Sequence, residues 1–175
     1  IQKYLNTKTV TGLDISSNAV DLSNSSFDTP GLTYIEGDSE NLPFEDNRFD
    51  VVLNVESSHC YGSIEKFVSE VGRVLKKGGI FLWCDFRTEN SMENLFDLFL
   101  SSGFVIEKEK NITKNIMSAL ELLTPSRKKQ INAHVPKIIK RVFESYAGIT
   151  GGEVNNAFVS GNLIYKSAAL KIAKH

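Results

Sequence analysis

Only two cysteines, Cys60 and Cys84, occur in the 175 residues, with no CxxC pair and no cluster at metal-ligand spacing. That argues against a disulfide-built scaffold and against a metal site. Both cysteines lie in or beside apolar strand-like segments and read as buried free thiols of a cytoplasmic protein. An excess of charge of one sign is also missing. Twenty Lys and Arg against 21 Asp and Glu leave a net charge of −1, so nothing pulls the chain generally toward nucleic acid or an anionic membrane. No apolar run approaches the roughly 20 residues that a membrane-spanning helix needs, and no signal-peptide pattern opens the sequence. Repeats and low-complexity tracts are absent. One last shortage is local: "IQKYLN", residues 1–6, holds no glycine.

The composition itself, 41% hydrophobic and 23% charged, suits one globular domain with a sizeable core. "TVTGLDI" reads as a strand, and Ser16 offers an N-cap for a helix over 18–25. "LTYIEG" is the next strand. "FDVVLNVES" is a continuous apolar run, as expected of a strand buried on both faces. In "SIEKFVSEVGRVLKKGG", Ile64, Phe67, Val68, Val71 and Leu75 recur at helical spacing, and the Lys-Lys-Gly-Gly run is a stop signal. "GIFLWCDF" is another buried strand, "SMENLFDLFLSSGF" an amphipathic helix and "VIEKEKN" a short strand. The order β-α-β-loop-β-α-β-α-β predicts an α/β fold, doubly wound around a mostly parallel sheet. Residues 112–148 read instead as helices punctuated by Pro125 and Pro136. Strand character then returns from about 162 to 170. The predicted division is a core of 1–111 and 153–175 with a helical cap insertion over 112–152.

Two strand ends carry acids, Asp14 and, after Gly37, Asp38. A lone strand-end acid more often caps a helix or shapes a turn. Two at consecutive strand ends line the crevice where open parallel sheets bind ligands. Asp14 is placed to accept both hydroxyls of a ribose, and Asp38 the exocyclic amine of an adenine. Ile15 and Leu42 are placed to sandwich the flat ring, as a mostly apolar pocket with few polar groups does.

"VTGLDIS", "IEGDSENLPFEDNRFDVVLNVES" and "EVGRVLKKGGIFLWCDF" resemble class I S-adenosylmethionine-dependent methyltransferases of the methyltransferase domain 11 type. The middle segment is the most specific. The resemblance covers about residues 9–110 and implies a Rossmann-like core and S-adenosylmethionine as cofactor. It places Asp14, Ile15 and Asp38 on the adenosine and the backbone of Ser39 on the adenine ring. Asn54 and Val55 would lie near the methionine end. More narrowly, "ESSHCYGS", "ITKNIMSAL" and "FESYAGITGGEVNNAFVSGNLIY" resemble small-molecule O-methyltransferases of the phthiotriolone type, which act on polyketide-like lipids. The family's first βα unit, with its glycine-rich loop, is absent from these residues. The expectation is that it lies upstream of Ile1, so that this sequence holds the adenosine half of a cofactor site.

After the fourth of the family's strands come Glu56, Ser57, Ser58, His59, Cys60 and Tyr61. Methyl transfer to a hydroxyl needs positioning and a base near neutrality, and His59 suits the second by its intrinsic pKa. Its alternative role is packing in the loop. Glu56, Tyr61 and His134 are further candidate substrate contacts. Phe143, Tyr146 and Phe158 read as core aromatics, and the basic runs 127–130 and 137–141 as solvated faces. The expected activity is methylation of a small, apolar, hydroxylated acceptor, with no nucleic-acid partner and homodimerisation left open. The competing readings are a nicotinamide-dependent oxidoreductase and a non-catalytic truncated relative acting as a binding module.

Overall fold

A computed structural model describes residues 7–136 and 152–173 of the chain. Strand β1 (Val10–Asp14) leads into helix α1 (Ser17–Ser26) and strand β2 (Leu32–Glu36). Strand β3 (Phe49–Val55) is followed by a 3₁₀ turn (Ser58–Cys60), helix α2 (Ile64–Val74) and strand β4 (Leu75–Arg87). Helix α3 (Glu89–Ser101), strand β5 (Phe104–Asn111), helix α4 (Thr113–His134), helix α5 (Glu153–Val159) and strand β6 (Ile164–Ile172) complete the described elements.

The strands form two hydrogen-bonded groups, β1–β2 and β3–β4–β6–β5. Both βα-connected pairs, β1 with β2 and β3 with β4, are parallel, as crossover helices require. The last strand returns antiparallel between β4 and β5. The α/β, Rossmann-like architecture expected from the sequence is thus the one observed.

The core lies on one face of the larger sheet. Phe67, Val68 and Val71 of α2 and Met92, Leu95, Phe96 and Phe99 of α3 each fall on one helical face and pack against Phe81 and other sheet residues. Ser63 caps α2 by accepting a hydrogen bond from the Lys66 amide at 3.3 Å, and Thr88 caps α3 through the Ser91 amide. Phe158 is buried, as expected of a core aromatic, but outside this cluster, in ring contact with Phe86 and Tyr165. Arg73, on α2, reaches across to the segment after β2: its guanidinium donates to the carbonyls of Leu42 and Phe44 at 2.9 and 2.6 Å.

Several expectations change. β3 is not buried on both faces: Val51, Leu53 and Val55 are about half exposed, because strand alternation turns them away from the face that α2 and α3 cover. Cys60 is exposed in the 3₁₀ turn rather than buried, although both thiols are free. Pro125 does not end a helix. α4 runs through it, with the neighbouring Thr124 hydroxyl bonding back to the Leu120 carbonyl at 2.7 Å. β4 begins at Leu75, so the Lys-Lys-Gly-Gly stretch ends α2 but belongs to a strand, with Gly78 at φ +78°. α5 has no counterpart in the sequence reading. Phe143, Tyr146 and the basic run 137–141 lie outside the described residues, as does the side chain of His134.

Candidate active site

The first half of the site is built by β1 and β2. Their parallel register pairs Asp14 with Glu36, and the Gly37 amide donates to the Asp14 carbonyl at 3.0 Å. Asp38 therefore stands beside Asp14 at adjacent strand ends. Each carboxylate commits one oxygen to its own turn. Asp14 Oδ1 accepts from the Ser16 amide and Asp38 Oδ1 from the Glu40 amide, both at 2.8 Å. Such Asx turns fix the direction of the side chain, while each Oδ2 has no protein partner among the described residues. Both side chains are exposed, and so is Ile15, at 74%. Gly37 is needed for close approach: a Cβ there would lie 2.8 Å from Leu13 Cδ1 and 3.1 Å from the Pro43 ring.

The loop that follows is anchored to α2. Glu40 Oε1 accepts from the Gly62 and Ser63 amides. Ser39 is half-buried in this turn. The Leu42 amide donates to Glu70 Oε2 at 2.7 Å, and Glu70 in turn takes two hydrogen bonds from Arg73. The Arg73 guanidinium holds the Glu70 carboxyl below its ordinary range, helped by the Leu42 amide and opposed by burial. Leu42 is thus held at a fixed height beside the strand ends.

The second half gathers at the ends of β3, β4 and β6. Asn54 is buried. Its Nδ2 donates to Ser57 Oγ and to the Tyr61 hydroxyl, both at 2.9 Å, and its Oδ1 is buried with no partner among the described residues. Tyr61 is held by these bonds and by an edge-on contact with Phe67 at 4.9 Å. Val55 is half exposed. Glu56 adopts φ +52°, in the left-handed region that non-glycine residues rarely enter. Its amide donates to the Cys84 carbonyl and its Oε2 accepts from the Tyr165 hydroxyl at 3.2 Å. Burial pushes the Tyr165 phenol far above its ordinary range and raises the Cys84 thiol as well.

His59 sits on the 3₁₀ turn with 27% of its side chain exposed. Its Nδ1 is 2.8 Å from Oδ1 of Asp85, a fully buried carboxylate at the end of β4. Its ring leans on Phe86 at 4.4 Å. Asp85 also accepts from Ser58 Oγ at 2.6 Å and from the His59 and Phe86 amides. Sequence reasoning passed over Asp85 because it lies inside an apolar strand. The signal was nevertheless the same as for Asp14 and Asp38, an acid at the carboxyl end of a strand. Ser58, Arg87 and Tyr165 gave no such signal.

This layout, with acids on consecutive strand ends and a buried polar cluster on the next two, can be set beside known proteins. Residues 1–83 match the family model described as methyltransferase domain. The chain resembles the methyltransferases. The phthiotriol/phenolphthiotriol dimycocerosates methyltransferase of Mycobacterium tuberculosis is 30% identical over 166 residues, which is 95% of this chain and 62% of that protein. The fatty-acid O-methyltransferase of Mycolicibacterium smegmatis is 30% identical over 138 residues, 79% of this chain and 50% of that protein. The chain thus spans less than two thirds of the length of these relatives. Among solved structures, the O-methyltransferase of a trans-AT PKS multienzyme from Brevibacillus brevis, in complex with S-adenosyl-L-homocysteine, superposes with a TM-score of 0.73. That likeness covers 94% of this chain and 59% of the other at 17% identity, and is one of fold. The methyltransferase match extends over both acid-bearing strand ends and on through Trp83, two residues short of Asp85.

Proposed function

We propose that this protein is an S-adenosylmethionine-dependent methyltransferase that methylates an oxygen of a small, apolar, hydroxylated acceptor. The observation that carries the reading is the pair of adjacent carboxylates, Asp14 and Asp38, each locked by its own turn with one oxygen left over. That donor-seeking pair fits the ribose hydroxyls and the adenine amine of the cofactor. Ile15 and Leu42 would flank the ring, with Gly37 and the Ser39 backbone at its edge. The unpartnered Asn54 Oδ1, with Val55 beside it, fits a hydrogen-bond donor at the methionine end. The relatives named for lipid and fatty-acid acceptors support an apolar substrate.

When bound, the cofactor supplies an electrophilic methyl on a sulfonium. The chain's own residues orient the acceptor and remove its proton. His59 is the base, and Glu56 and Tyr61 lie beside it in sequence at the same strand end. In this reading the cap expected over 112–152, of which α4 is the described part, would exclude water from the crevice. The test is isothermal titration with S-adenosylhomocysteine. Asp14→Asn and Asp38→Asn keep the acceptor for the turn but remove the charge. Each is expected to weaken binding roughly tenfold or more, as loss of a hydrogen bond to a charged group does. Wild-type protein that binds nothing, or variants with unchanged affinity, would sink the assignment.

A further inference from the structure

Glu40 joins the two halves of the site. Its amide donates to Asp38 Oδ1 at 2.8 Å, so its backbone belongs to the turn that directs that carboxylate. The Asn41 amide closes the same turn onto the Asp38 carbonyl at 3.1 Å. The Glu40 side chain runs the other way. Its Oε1 accepts from the Gly62 amide at 2.7 Å and the Ser63 amide at 3.0 Å. These two amides directly follow Tyr61, whose hydroxyl is tied to Asn54 and Ser57. Both bonds are charge-assisted, and the carboxylate faces the start of α2, where the helix dipole favours negative charge. Gly62 leaves the oxygen its place, since a Cβ there would lie 3.2 Å from Oε1. The Ser63 hydroxyl is already committed to capping α2 through the Lys66 amide. Glu70 and Arg73 hold the loop further along, at Leu42 and Phe44, whereas Glu40 holds its tip. A carboxylate serving only as a helix cap has no need to come from the turn that aims Asp38.

We propose that Glu40 is a positioning residue that couples the adenosine end of the site to the acceptor end, so that the Asp38 turn and the segment 61–63 open and close together. This rests on the methyltransferase reading. Breaking the Glu40 bonds releases the turn that aims Asp38, and an adenosine bonded to Asp38 resists that release. The ligand therefore protects the Gly62 and Ser63 amides, although both donate to Glu40 and not to the ligand. The coupling is reciprocal. An acceptor that needs the Tyr61 segment closed binds more tightly once the cofactor is seated, and the cofactor binds more tightly beside the acceptor.

Amide hydrogen exchange of the full chain with adenosine is the test. Adenosine lacks the amino-acid part of the cofactor and carries only the groups assigned to Asp14 and Asp38. Held at ten times its dissociation constant, a ligand slows exchange through any opening that destroys its site by about 11-fold, the factor 1 + [L]/Kd. Gly62 and Ser63 of the wild type are expected to slow by about that factor. Glu40→Ala, measured at ten times its own dissociation constant, should abolish the slowing while the amides of Phe81 to Trp83 stay protected. Glu40→Asp keeps the charge but falls one methylene short of the two amides, and should abolish it too, with less risk to the fold. Glu40→Gln keeps an accepting oxygen at full length and should restore it. Adenosine bound to the wild type with Gly62 and Ser63 unchanged would overturn the proposal. The same holds if Glu40→Asp and Glu40→Ala still slow them 11-fold. Titration calorimetry beforehand separates the other failure: wild type that binds no adenosine defeats the adenosine reading of Asp14 and Asp38 itself.

Discussion

Gly12 shows how one residue sets the spacing of the first two strands. It faces Tyr34 across the parallel β1–β2 pair, and a Cβ there would lie 2.5 Å from Tyr34 Cδ1 and 2.8 Å from Cε1. The tyrosine cannot easily retreat, because Asn24 of α1 hydrogen-bonds both its amide and its carbonyl at 3.0 and 2.9 Å. Gly12→Ala is therefore expected to destabilise the protein by about 1–3 kcal/mol, the usual cost of overpacking, read as a lowered urea midpoint. Because the distortion sits one residue before Leu13 and two before Asp14, S-adenosylhomocysteine affinity should fall with it. The acids themselves behave differently. Asp14 and Asp38 do the ordinary work of a turn residue and also keep a free oxygen, so the turn role and the ligand role are not alternatives.

At the scale of elements, the loop after β2 is held as a unit by α2. Arg73 binds the Leu42 and Phe44 carbonyls and Asp46, while Glu70 takes the Leu42 amide and Arg73 itself. The Asn47 and Arg48 amides close onto the Arg73 and Val74 carbonyls. Asn47 accommodates the turn at φ +55°. Glu70 makes this clamp sensitive to acid. Its carboxyl is lowered from an ordinary value of 4.5, chiefly by Arg73, so the folded state favours the charged form. The stabilisation is complete above that ordinary value and is lost as the pH falls through the lowered one. Glu70→Gln is expected to lower the urea midpoint at pH 7 and to flatten its fall in acid. A variant with the wild-type slope below pH 4.5 would exclude Glu70 as the cause.

Across the whole molecule, stability is uneven. The continuous core belongs to the larger sheet, whereas the described part of the β1–α1–β2 unit contributes only Val20 to the buried apolar residues. Amides of β1 and β2 are expected to exchange hydrogen through a lower-energy opening than those of Phe81 to Trp83 in native-state exchange experiments. Equal protection would show that the two groups of strands unfold together. The order of strands and helices, the α2 and α3 faces and the acids at the ends of β1 and β2 were legible in the sequence. Each is a local matter of periodicity, capping or turn chemistry. α5, the passage of α4 through Pro125 and the half-exposed face of β3 were not, because they depend on which surfaces meet.

The chemistry divides in the same way. The sequence by itself determined the α/β class and the placing of Asp14 and Asp38 at strand ends, since a strand signal that stops at an acid locates that carboxylate, before a helix for Asp14 and before a loop for Asp38. It also singled out His59, but as a loop histidine with two roles open. Only the tertiary structure decided its surroundings. Asp85 is 26 residues away in the chain. It reaches His59 because β3 and β4 lie side by side in parallel, so that the turn after one strand meets the end of the next. Trp83 and Arg87 on β4 donate to Ser58 beside His59, and Ser58 donates to Asp85. A network whose donors are separated by that much chain has no pattern along it. It exists only once the strands are paired and water is excluded from between them.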